Sequence, residues 1–433
     1  MRRATALTLA LALSAAALLV LPAGAASGDH YTADADESLA DIQAFWAEAL
    51  PATYGRTYRP IPTTRVHPYS SDDPPPGCGT NRPTPYREVA GNAFYCTEGD
   101  SIAYDVERLV PALRERYGDV AVGLVLAHEM GHAVQARVGA PDDAFVTIEL
   151  QADCFAGAWA AHVAAGGSDL RLSEDDIDRA MAGFLDLRDP SGTDGRTDGA
   201  HGNAFDRVSA FQDGLTDGAT ACRGYEQRPP EVTESPFVSA RDQAVNGDPP
   251  LDESLPLLTK SLDAFWSATA KRYADAPELV AAPSGVSCPR GSDGGVLSDS
   301  VIYCAATHRI VYRPRALQQA SDEIGDMGAG VFVAAAWASA VQHAVGYPIG
   351  TGRARAVSDC LTGGWAGAVE RGTAAPAGTR GAITFSPGDL DEIVAAFVAT
   401  DKTPSAVDRG SVFDRMREFR RGFDGGPSAC VSA

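Results

Sequence analysis

Val125-Leu126-Ala127-His128-Glu129-Met130-Gly131-His132-Ala133-Val134-Gln135 is the stretch from which the rest of this chain can be read. The residues around the two histidines are uncharged, as a helix lying under an active site needs to be. Positions four apart share one face of a helix, so His128 and His132 can aim two imidazoles at one ion, with Glu129 beside the ion's open position. An HExxH pattern alone is a weak signal. Its complement stands seventeen residues after His132, in Glu149-Leu150-Gln151-Ala152-Asp153-Cys154-Phe155-Ala156-Gly157. A second helix there returns Glu149 as a third ligand, and two His with one Glu is a zinc set that leaves the fourth position to water. Asp153, one turn later, is placed to accept a hydrogen bond from the far nitrogen of a ligand histidine.

The segments AHEMGHAVQ (127–135), ELQADCFAGAW (149–159) and HGNAFDR (201–207) resemble the bacterial neutral zinc metallopeptidases, a family with thermolysin-like ligand logic. The resemblance covers about residues 37–225. It implies a secreted or envelope zinc peptidase acting on a peptide or protein substrate, with His128, His132 and Glu149 as Zn2+ ligands and Glu129 as base.

Outward from this centre, Met1-Arg2-Arg3 and an apolar run to Leu21, closed by Pro22-Ala23-Gly24-Ala25, read as a signal peptide over 1–25. No later segment reads as apolar for long enough to cross a membrane, so a secreted protein without stable membrane insertion is expected. The formal charge is −21, and two units more negative without Arg2 and Arg3. Such acidity argues against nucleic acid and anionic lipid as partners. Oligomeric state is not legible.

The chain repeats itself. Glu37-Ser38-Leu39 before Ala44-Phe45-Trp46 returns as Glu253-Ser254-Leu255 before Ala264-Phe265-Trp266, and Asn203-Ala204-Phe205-Asp206-Arg207 as Ser411-Val412-Phe413-Asp414-Arg415. A tandem duplication is expected: a metallopeptidase domain over 26–226, a linker over 227–250 and a homologous domain over 251–433. Eight cysteines in an exported chain imply disulfides. A pairing that respects the repeat joins Cys78 to Cys96, Cys154 to Cys222, Cys288 to Cys304 and Cys360 to Cys430. Cys154 as a zinc ligand is disfavoured, because its counterpart Cys360 has no other ligands around it.

The expected fold is α+β and mostly helical, a zincin-like domain followed by a degenerate one. In the first half, helices are expected near 37–49, 105–117, 120–138, 146–165, 173–187 and 203–216. A strand pair is expected near 93–96 and 101–104, with Ile102-Ala103-Tyr104 alternating as an edge strand able to bind extended peptide. The polar loop 189–199 lacks the DxDxDG spacing of a calcium loop.

The second half acts as an internal control. Aligning Ala133-Val134-Gln135 with Ala340-Val341-Gln342 puts Ala335 at His128, Ala336 at Glu129 and Ser339 at His132. Aligning Asp153-Cys154 with Asp359-Cys360 puts Arg355 at Glu149, where it is expected to pair with Asp359 one turn on. His201 also disappears, with Arg409 in its place. That makes His201 a candidate donor to the oxyanion. Asp359 persists with no histidine to orient, so Asp153 is expected to be partly structural. The expected function is a secreted zinc peptidase with Glu129 as general base, catalytic in its first half alone. The rival reading is a secreted binding or scaffold protein with structural or absent zinc.

Overall fold

The computed structural model describes residues 31–141, 144–288, 300–350, 352–374, 383–401 and 410–430. The expected signal peptide and Arg409 lie outside the described residues. The chain divides into two compact units, Met1–Glu234 and Ser235–Ala433, each mostly helical with one small sheet.

In the first unit, helix α1 (Ala35–Tyr54) starts at a capping box. The Asp34 carboxylate accepts the Glu37 N–H, and the Glu37 carboxylate accepts the Asp34 N–H. Its inner face buries Ile42, Trp46 and Leu50 completely. The Pro- and Gly-rich stretch that follows contains strand β1 (Val66–Tyr69) and the single turn α2 (Tyr86–Val89), then the hairpin of β2 (Ala93–Cys96) and β3 (Ser101–Asp105). Sheet order is β1-β3-β2, with β1 parallel and β2 antiparallel to β3. Strand β3 is therefore central rather than an edge, and all five of its residues are buried, Tyr104 among them. The expectation failed because β1 contains Pro68 and sits in sequence that reads as irregular, yet proline is tolerated in a strand that is itself an edge. The edge on the far side is β2.

Five helices complete the unit: α3 (Leu109–Tyr117), α4 (Asp119–Val138), α5 (Phe145–Ala164), α6 (Glu174–Asp186) and α7 (Ala204–Gly224). Helix α3 begins later than its sequence pattern suggests, because the Asp105 carboxylate accepts the N–H groups of Glu107 and Arg108 in a turn. Helix α7 runs beyond 216, since Gly218 adopts φ 70° and joins two helical segments across a kink. Helices α4 and α5 meet at Gly131, where a Cβ would stand 2.9 Å from Ala152 Cα, so only glycine allows this approach. Gly157 and Gly214 likewise lie against the Phe211 and Cys154 carbonyls, and α5 and α7 are tied there by Cys154–Cys222.

The second unit holds the single turn α8 (Ala240–Ala244), α9 (Leu251–Thr269), β4 (Glu278–Ala281), β5 (Val301–Cys304) and β6 (Arg309–Tyr312). Then come α10 (Pro314–Ile324), α11 (Asp326–Val345), α12 (Arg353–Glu370), α13 (Asp389–Asp401), α14 (Val412–Gly425) and the turn α15 (Pro427–Cys430). Its sheet, β4-β6-β5, has the same one parallel and one antiparallel pairing as the first. The four disulfides are Cys78–Cys96, Cys154–Cys222, Cys288–Cys304 and Cys360–Cys430, each within one unit. One sequence expectation needs correcting here. Helix α11 is long and apolar enough to cross a membrane, with mean hydropathy 1.3, but 83% of that window is buried inside its unit. A helix enclosed on all sides by others carries the same composition as a spanning one.

Candidate metal centre

Helix α4 supplies His128, Glu129 and His132, and α5 supplies Glu149 and Asp153, so the close approach at Gly131 is what brings the two sets together. His128 Nε2 lies 3.2 Å from His132 Nε2 and 3.2 Å from Glu149 Oε2, and His132 Nε2 lies 3.4 Å from Glu149 Oε2. Ligand atoms ~2.0–2.1 Å from a tetrahedral zinc stand about 3.3 Å from one another, so the triangle matches the ion's own coordination sphere. The opposite ring nitrogens are already engaged. His128 Nδ1 meets Asp153 Oδ1 at 2.8 Å, and His132 Nδ1 meets Gln135 Oε1 at 2.9 Å. Both Nε2 atoms are thereby left for a cation, as metal-binding imidazoles require.

Electrostatics point the same way. Burial opposes protonation of His128, but Asp153 and Glu149 outweigh it and lift its pKa to about 10. His132 is raised too, against burial, chiefly by Glu149. Burial pushes Glu149 upward, yet His132 and His128 hold it well below the usual carboxylate range. The Glu129 carboxyl goes the other way, raised by burial. A carboxylate that stabilises imidazolium this strongly will also stabilise a dication.

Glu129 is held by β2, whose Tyr95 N–H donates to Glu129 Oε2 at 2.8 Å. His128, Glu129, His132, Glu149, Asp153 and His201 all line one cavity of about 500 Å³, with Asn92 and Ala93, Phe94 and Tyr95 of β2 along its wall. His201 stands in the loop before α7. Its backbone N–H donates to Asp189 Oδ2 at 2.6 Å and its Nδ1 lies 3.4 Å from Asp189 Oδ1. Its Nε2 is buried and without a hydrogen-bond partner among the described residues.

Three participants escaped the sequence reading. Arg207 grips Asp153 with Nε at 2.8 Å and Nη2 at 2.9 Å, which draws the Asp153 carboxyl down against the effect of burial. The recurrence of Phe-Asp-Arg at 205–207 and 413–415 was the available signal for it. Gln135 joins His132 to α5, since its Nε2 donates to Ile148 O at 2.8 Å. Tyr95 acts through its backbone, for which a sequence offers no sign. Arg355 attracts Asp359 by its charge, but the hydrogen-bonded partner of Asp359 is Arg415. Asp359 is bound by Arg415 at 3.2 Å, and Arg355 donates to Gly350 O.

Residues 19–225 match the family described as "Putative neutral zinc metallopeptidase". Two curated relatives, each named "Uncharacterized protein YpfJ", come from Escherichia coli strain K12 and Escherichia coli O6:H1. Each is 28% identical over a stretch that covers 34% of this chain and 55% of the relative. The chain thus spans about half the length of the curated relatives it matches. No solved structure matches.

Proposed function

We propose that the first unit, on the strength of its match to the neutral zinc metallopeptidase family, hydrolyses peptide bonds in a cavity where His128, His132 and Glu149 hold zinc. The observation that carries this reading is the triangle of free donor atoms, 3.2–3.4 Å on a side, open to a cavity that also contains Glu129. A structural zinc would have its fourth position closed by the protein and no use for a neighbouring base. Zinc, when bound, supplies Lewis acidity to a carbonyl oxygen and lowers the pKa of a water.

The chain's own residues do the rest. Glu129, fixed through Oε2 by Tyr95 N–H, takes a proton from the attacking water and returns it to the leaving nitrogen, a role suited to a carboxyl raised by burial. His201, positioned by Asp189, is read as the donor from its buried Nε2 to the substrate oxygen as that oxygen gains charge. Extended substrate lies along the outer edge of β2, where an added strand can form main-chain hydrogen bonds. The second unit is read as a copy that has lost the metal. The chain is read as exported, a setting for which four disulfides are typical.

Glu129→Gln tests the mechanism in the full chain, with an unfolded protein and proteome-derived peptides as substrates. Zinc should stay bound while hydrolysis falls by more than the ~10² to 10⁴ of a general base alone, since the water also loses its anchor. Substantial remaining turnover would sink this reading.

A further inference from the structure

The second unit gathers carboxylates where α11 begins. Asp326 opens that helix, Asp389 and Glu392 occupy the first turn of α13, and Asp248 precedes α9. Asp326, Asp389 and Glu392 are buried and Asp248 is half-buried. Oxygens of Asp248, Asp326 and Glu392 lie within 4.8 Å of one another. Glu392 Oε2 accepts the N–H groups of Met327 at 2.8 Å and Gly328 at 3.3 Å, while Asp248 Oδ1 accepts the Asp326 N–H at 3.3 Å. Two further atoms point to a ligand. Asp326 Oδ1 and Asp389 Oδ1 are fully buried and accept no hydrogen bond from any described residue. Leaving one such group unmet costs more than a lost hydrogen bond, so a cation reaching both oxygens would be stabilising. Burial first, then mutual repulsion, pushes all three buried carboxyls up, Asp326 to about 7.

The first unit shows how the same place is neutralised from within. Asp119, which opens α4, pairs with Arg114 at 2.8 Å, and Asp176 of α6 pairs with Arg179. The Ser173 N–H donates to Asp176 at 2.9 Å just as the Ser386 N–H donates to Asp389 at 2.8 Å, so Arg179 corresponds to Glu392. The surroundings agree. A Cβ on Gly118 would lie 3.6 Å from Arg179 Nε, and one on the corresponding Gly325 would run into Glu392 and Asp248. By the same register Arg114 becomes Ser321. Two guanidinium groups have given way to a carboxylate and a hydroxyl, and among the described residues no cationic side chain pairs with any of the four acids.

We propose that Asp248, Asp326 and Glu392, with Asp389 adding negative charge beside them, form a binding site for one divalent cation of the calcium class. Every donor is a carboxylate oxygen, with no imidazole or thiolate, which selects a hard ion over zinc. The ion joins the segment before α9 to the starts of α11 and α13, so its role is structural and independent of the first unit's chemistry.

The test is equilibrium dialysis of the full chain, stripped of divalent ions and reloaded with zinc, against calcium chloride at about 1 mM, with magnesium chloride as a competing arm. Uptake of one Ca2+ per chain is expected, together with a higher unfolding temperature of the second unit, and an equal concentration of Mg2+ should not displace it. Glu392→Arg, which installs the first unit's residue, should abolish uptake and make unfolding indifferent to Ca2+. No uptake by the wild type, undiminished uptake by a folded Glu392→Arg chain, or displacement by Mg2+ would overturn the assignment.

Discussion

Helices α4 and α11 have the same length and the same glycine before them, yet one carries His128, Glu129 and His132 where the other carries Ala335, Ala336 and Ser339. One hydrogen bond to the following helix is the same in both. Gln135 Nε2 donates to Ile148 O, and Gln342 Nε2 donates to Ala354 O, both at 2.8 Å. What changes is the other end of the amide: Gln135 Oε1 meets His132, while Gln342 Oε1 is buried with no partner among the described residues. The carboxylate behind the site behaves likewise, with Asp153 bound by Arg207 and Asp359 by Arg415. The difference teaches that the helices behind the site, α5 and α12, are held by glycines packed on the carbonyls of α7 and α14, by a disulfide and by a buried ion pair, all present in both units. The candidate metal ligands are an addition to that frame, not a condition for it.

The sharpest way to break the comparison is Glu149→Arg, which gives the first unit the residue found in the second. Metal should be lost and turnover should fall further than the ~10³ that one missing oxyanion donor costs, while the fold survives. Retained zinc, read by elemental analysis, would separate Glu149 from the site. Next in size is His201→Ala. A drop of roughly 10² to 10³ in kcat with zinc content unchanged is expected, and an unchanged rate would make His201 a loop residue only. The smallest effect distinguishes the two aspartates. Asp153→Asn should weaken zinc binding ~10- to 100-fold, because His128 loses the acceptor that orients it. Asp359→Asn should leave zinc affinity alone and lower only the thermal stability of the second unit. Equal zinc affinities for the two variants would show that Asp153 serves packing alone.

The sequence made the candidate metal set legible because its logic is local. A spacing of four on one helix, and an acid on the next apolar helix, say where three donors can converge. The helices themselves follow from long apolar patterns, and the disulfides from the matched spacing of the two cysteine sets. What stayed hidden depends on contacts between distant segments. Strand β1 carries a proline and has no alternation to announce it, so the edge was assigned to β3 instead of β2. Arg355 was given the partner nearest in sequence, whereas Asp359 is met by an arginine 56 residues away. The hold of Tyr95 on Glu129 runs through a backbone N–H, which every non-proline residue possesses.

One carboxylate links the chemistry to the endurance of the molecule. Asp153 Oδ1 faces both His128 and Arg207, so whatever settles His128 also steadies the seat of α7 against α5. Zinc held by the folded unit and not by the unfolded chain adds about 1.4 kcal/mol for each tenfold excess over its dissociation constant. That increment falls on the first unit only. Under the proposed zinc reading, scarce zinc would leave the first unit less stable and more open to proteolysis than when the ion is bound. Metal supply would then set how long the chain lasts as well as the activity proposed for it.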